Sequence, residues 1–162
     1  MKPLPAPEQH RLRAAEGWLE LSNPREALAE LESISPEWCG HSDVLNMRSQ
    51  IARTAKEWET CFEVARKFSQ SAPQDPRAWT SLAQTFYHAS RLQEAYNLAV
   101  SKITSFPKYW PLYYDAACYA CLTGRLNQAR QFLQLATALG DEDEIKSLAS
   151  HDPDLEALRK EL

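Results

Sequence analysis

The sequence predicts an all-α fold built from helical hairpins repeated in tandem. Three observations carry that prediction: a 34-residue period running along the chain, Pro residues placed at the hairpin boundaries, and a composition that favours helix over strand. The period is seen in three ladders. Ala27, Cys61, Ala95 and Ala129 are 34 residues apart, as are Leu31, Ala65, Ala99 and Leu133, and Pro24, Trp58, Leu92 and Leu126. Shorter ladders join Pro73 to Pro107, Trp79 to Tyr113, Leu82 to Ala116, Ala83 to Ala117 and Phe86 to Ala120. Only four Gly occur in 162 residues, and runs of Val, Ile and Thr are missing.

Each element has a reason in its residues. Where two helices of a hairpin cross closely the contact must be narrow, which the ladder from Ala27 to Ala129 supplies. Trp79, Leu82 and Phe86, at i, i+3 and i+7, define the buried face of a first helix, and Leu92 and Leu126 open second helices. Asn23-Pro24, Asp75-Pro76 and Asp152-Pro153 pair an N-cap residue with Pro at the first helical position, where its missing N–H costs nothing. Pro36, Pro73 and Pro107 fall between repeats and Gly124 in the last internal turn. Helices are expected at about 8–21, 24–33, 42–54, 57–70, 76–89, 92–104, 110–122 and 126–139. Beyond Gly140, the acidic run Asp141 to Glu144 opens a short helix, its charges suited to a helix N-terminus. A further helix starts at Asp152-Pro153 and ends near Leu162, with Leu155 and Leu158 covering the last hairpin.

These residues resemble the tetratricopeptide repeat (TPR) family. Its order of aromatic, Leu, small residue, aromatic, Ala and Pro is met in the third repeat by Trp79, Leu82, Ala83, Phe86, Ala95 and Pro107. The fourth follows with Tyr113, Ala116, Ala117, Gly124, Ala129 and Ala136, with Ala120 for the second aromatic and Asp141 for the Pro. The first is looser, matching at Ala14, Ala15, Trp18, Ala27 and Leu31, with Arg11 at the first aromatic place. In the second, Val44, Met47, Arg48 and Ile51 fit if the turn before Trp58 is one residue longer than usual. The tail, with Ala117 to Ala120 before it, looks like the C-terminal end of many bacterial proteins of this family. The resemblance implies a right-handed α-α superhelix (solenoid) forming a single domain over 1–162, with repeats at about 8–40, 41–75, 76–109 and 110–140 and a cap at 141–162.

It also implies a function: a non-enzymatic scaffold or adaptor that binds a peptide or partner helix in a concave groove lined by the first helices. The residues expected to face that groove are Thr80, Gln84, Tyr87 and His88 in the third repeat and Tyr114, Asp115, Cys118 and Cys121 in the fourth. That mixed polar and aromatic surface suits a peptide. Packing between adjacent helices accounts equally well for Tyr87 and Tyr114. The family's carboxylate-binding groove for heat-shock chaperones uses Lys, Arg and Asn. Leu12, Glu16, Ser81 and Asp115 stand in those places, and only Arg77 and Asn46 remain, which disfavours that role. Arg48 and Arg53 offer charge to an acidic ligand or sit solvated on the helix surface.

Charge and motif content narrow the field. A net charge of −4 and pI near 5.6, with no Lys/Arg cluster, speak against a nucleic-acid partner. No apolar signal core opens the chain and no run is long enough to span a bilayer, so a cytoplasmic location is expected, with Cys39, Cys61, Cys118 and Cys121 as reduced thiols. Cys118 and Cys121 have the C-x-x-C spacing, and with His88 nearby a metal or redox site is conceivable. Their place inside a helix and the lack of a second Cys pair favour small apolar fillers. His10, His41, His88 and His151 are scattered and there is no Gly-rich phosphate loop, so no catalytic residues, metal or cofactor are expected. The rival reading is a secretion chaperone of the same repeat class, suggested by acidic pI and size, although such chaperones carry fewer repeats.

Overall fold

In the computed structural model, residues 2–159 are described. Helices fill the described chain: α1 (Ala6–Glu20), α2 (Pro24–Glu32), α3 (Ser42–Thr54), α4 (Trp58–Ser71), α5 (Pro76–His88), α6 (Leu92–Ile103), α7 (Trp110–Leu122), α8 (Leu126–Leu139), α9 (Glu142–His151) and α10 (Glu156–Arg159). Two 3-10 turns, Pro36–Trp38 and Pro153–Leu155, precede α3 and α10. The eight repeat helices start and stop within two residues of the positions read from the sequence. The tail differs: the helix expected from Asp152 opens as a 3-10 turn, and its predicted end at Leu162 lies outside the described residues.

The turns explain the period. α1–α2, α3–α4, α5–α6 and α7–α8 are each joined by three residues, and the middle one has positive φ: Ser22 (56°), Lys56 (59°), Ser90 (60°) and Gly124 (76°). Each turn closes with the same pair of backbone hydrogen bonds. At the second, Lys56 N–H donates to Arg53 O (3.0 Å) and Glu57 N–H to Ala52 O (2.9 Å), and the fourth repeats this with Gly124 to Cys121 and Arg125 to Ala120. These are Schellman closures, which satisfy carbonyls left over at a helix end.

The second hairpin's turn is therefore no longer than the others, which corrects the register expected for α3. Leu45, Arg48, Ser49 and Ala52 occupy the places of Trp79, Leu82, Ala83 and Phe86. Val44, Met47 and Ile51 are buried for another reason: they pack into the cluster formed by Leu4, Ala15, Ala27, Leu31 and Ile34 of the preceding hairpin. A helix with neighbours on two sides buries two stripes, and the stripe richer in large residues is not the one that sets the repeat.

The chain divides into two compact units between Thr85 and Phe86, within α5. In the first, α1 packs on α2 and α3, and α3 on α4. Its core holds the cluster just named, with Leu12, Trp18 and Trp38 against it, and a second cluster of Leu45, Phe68, Ala72 and Ala78. In the second, α7 lies between α6 and α8 and also meets the 3-10 turn Pro153–Leu155. Nine of its residues are buried, from Leu112 to Cys121, as expected of a helix covered all round. The crossing residues Ala27, Cys61, Ala95 and Ala129 are all fully buried. Ile145, Leu155 and Leu158 close the C-terminal side, α9 and α10 both packing on α8.

Candidate peptide-binding face

Positions one period apart on the first helices carry the candidate residues: Asn46, Thr80 and Tyr114; Gln50, Gln84 and Cys118; Arg53, Tyr87 and Cys121.

In the first unit Arg53 and Gln84 are tied to each other and Thr80 turns back onto its own helix. Thr80 is buried, its hydroxyl donating back to Arg77 O (3.0 Å). The Gln84 carbonyl accepts from Arg53, so Arg53 serves the same face as Gln84. Arg77 donates to Asp43 (2.7 Å) and Asp75 (2.6 Å), and the Asp75 hydrogen bond, ahead of the Asp43 one, holds its guanidinium above the ordinary range. Asp43 and Arg77 are themselves one period apart, so opposite charges at equivalent positions of successive repeats were a legible signal. With two carboxylates already on it, Arg77 is a poor carboxylate receptor.

In the second unit Tyr87, Tyr114 and Cys118 converge on the chain's own tail. The Tyr87 hydroxyl donates to Asp154 Oδ1 (3.0 Å) and the Tyr114 hydroxyl to Asp152 Oδ2 (2.9 Å), with the Cys118 thiol directed at the same oxygen (3.7 Å). Asp152 Oδ1 accepts from Asp154 N–H (2.9 Å), so that carboxylate both caps the 3-10 turn and receives the face. The aromatics are packed: Tyr114, expected to face an open groove, is buried, and Tyr87 is half-buried. The Tyr87 ring stacks on Tyr119 at 5.6 Å with the His88 edge at 5.0 Å, and Tyr114 stands edge-on to Trp110 at 6.2 Å. Asp115 is half-buried beside this group, Cys121 is buried, and His88 is exposed.

The electrostatics make the face a hydrogen-bond donor. Burial, then the bond to Asp154, pushes the Tyr87 phenol up to about 12. Burial, then neighbouring Cys118 and Asp152, drives Tyr114 higher still. Both therefore remain O–H at any physiological pH. Burial and the nearby carboxylates Asp152 and Asp115 also push the Cys118 thiol up. A protonated, buried thiol is the reverse of what a nucleophile or metal-binding thiolate needs. The Asp154 carboxyl is raised by burial, the Tyr87 hydrogen bond opposing this.

Among the described residues, no group of three His, Cys, Asp or Glu side chains is arranged to hold a metal ion, and no helix is long and apolar enough to cross a membrane. A separate open groove of about 490 Å³ lies along α8, lined by Leu133, Thr137, Lys146 and Leu158 among others, and contains none of the residues expected from the sequence to face a binding groove.

No protein-family profile and no curated protein matches the chain. Solved structures do. A thermophilic TPR protein from Thermus thermophilus superposes with a TM-score of 0.79 at 21% identity, over 88% of this chain and 80% of that one. A MamA structure from Desulfovibrio magneticus RS-1 gives 0.65 at 16% identity, over 98% and 94%. At such identities the likeness establishes the fold: the chain is an all-α array of TPR-type hairpins.

Proposed function

We propose that this array of TPR-type hairpins is a non-enzymatic protein-interaction scaffold. Its four hairpins and C-terminal cap serve as one domain, which binds a peptide or partner helix on the polar and aromatic face of its first helices. One observation supports this reading above the others: α7 and the end of α5 already hold a stretch of polypeptide by side-chain hydrogen bonds, from Tyr87 to Asp154 and Tyr114 to Asp152. A face that grips backbone-bearing acidic side chains through rigid aromatic donors has the properties of a peptide site.

The test is selection of short peptides from a random displayed library against the full chain. Binders are expected to lose about tenfold or more in affinity when Gln84 is changed to Arg or Tyr87 and Tyr114 to Phe. They should be indifferent to Glu63→Lys and Gln131→Lys on exposed second-helix positions. Failure to enrich any binder, or sensitivity confined to the second-helix changes, would refute the reading.

A further inference from the structure

Residues 152–155 meet the face as a ligand would. Leu155, buried at 1% exposure, and Leu158 cover the end of the last hairpin, and the segment also presents two carboxylates to two phenol donors and a thiol. Hydroxyl groups read both carboxylates, and His88 adds an attraction to Asp154. Such contacts give recognition with modest strength. Burial opposes the charge of Asp154, the Tyr87 hydrogen bond and His88 favour it, and with Asp152 also opposing it the net effect is a raised carboxyl. Pro153 between the two acids fixes one backbone angle and lowers the ordering cost of docking. A segment with these features is recognised and is also displaceable.

We propose that the α5–α7 face is a receptor for an acidic turn of the chemistry Asp-Pro-Asp-Leu carried by another protein, and that the chain's own residues 152–155 occupy the face in competition with it. This rests on the binding function proposed above and names the partner's chemistry.

The experiment uses the full chain and a fluorescein-labelled peptide copying residues 150–159, with a control peptide in which both Asp are Ala. Loss of two hydrogen bonds to carboxylates, each equivalent to about a tenfold change, should free the face in the variant Asp152→Ala with Asp154→Ala. That variant is expected to bind the peptide at least about tenfold more tightly than the unaltered chain. Adding Tyr87→Phe and Tyr114→Phe, which remove only the hydroxyls, should abolish the gain, and the control peptide should not bind. Helicity by circular dichroism identifies folded variants. If the double Ala variant does not fold, the unaltered chain titrated with excess peptide must show the amides of residues 154–159 losing protection. Equal affinity in unaltered and opened chains, or binding indifferent to the two hydroxyls, would overturn the proposal. So would a dimer that exchanges this segment between copies and is abolished by the Ala changes, since that assigns the face to a second copy. If the acidic peptide fails while library binders still depend on Gln84, the inference falls and the binding function stands; if neither binds, both fall.

Discussion

Replacing Tyr114 by Phe removes one O–H and leaves the ring, with its edge contact to Trp110, in place. The bond lost is a hydroxyl donating to a carboxylate at 2.9 Å. Hydrogen bonds to ionised groups contribute about 1.5–3 kcal/mol to stability. Asp152 is half-buried and keeps the weaker Cys118 donor at 3.7 Å, so the loss falls at or just below the low end of that range, about 1–1.5 kcal/mol. That loss belongs to the docking of residues 152–159 and not to the α7–α8 hairpin, whose core does not involve the hydroxyl. Native-state hydrogen exchange separates the two. The amides of Asp154 and Leu155, which donate to Asp152 Oδ1 and O, should exchange about five- to tenfold faster, with amides inside α7 and α8 unchanged. Unchanged exchange in the tail would show that the bond holds nothing. Equal acceleration throughout α7 would show that tail and hairpin open as one unit. Either result would refute the reasoning.

Three further outcomes follow from the same geometry. Gly140→Ala would set a Cβ 2.6 Å from Ile145 Cδ1 and 2.8 Å from Trp110 Cδ1, and is expected to destabilise by about 1–3 kcal/mol in urea unfolding; neutrality would mean those side chains yield freely. Lys56→Gly relieves a left-handed residue at φ 59° and should stabilise by about 0.5–1 kcal/mol, the strain removed exceeding the added chain entropy; a lower melting temperature would contradict this. Because the Asp154 carboxyl is raised in the docked state, docking binds its proton more tightly than the free segment does. Its contribution is complete below the ordinary aspartate range and is lost as pH rises through the raised value. NMR titration of Asp154 with tail-amide exchange checks the sign, and tail protection that increases with pH through this window would reverse it.

Most of the fold was legible because it is periodic. Spacing alone located Pro24, Trp58, Leu92 and Leu126, the residues that open the second helices. The Schellman turns were not legible, since Ser22, Lys56, Ser90 and Gly124 share a backbone conformation but no chemistry, and only Gly advertises it. The register of α3 is not legible in its residues because Val44, Met47 and Ile51 outweigh Leu45, Ser49 and Ala52 in bulk, although both stripes are buried. At the candidate face, Tyr87, Tyr114 and Cys118 could be placed on first helices. Their engagement with Asp152 and Asp154 could not, because the pairs are 67 and 38 residues apart and Asp-Pro reads locally as a helix cap. Asp152 does cap its turn, and its other oxygen carries the tertiary contact.

The central claim is that the first-helix side chains form the binding surface, and hydrogen–deuterium exchange of the full chain with and without a library-selected peptide tests it most directly. Protection is predicted to rise at the end of α5 and in α7, while exposed amides at the ends of α4, α6 and α8 stay as they were. Protection gained instead along α8 beside Leu133 and Thr137, with α5 and α7 unaffected, would contradict the account and assign binding to the apolar groove there.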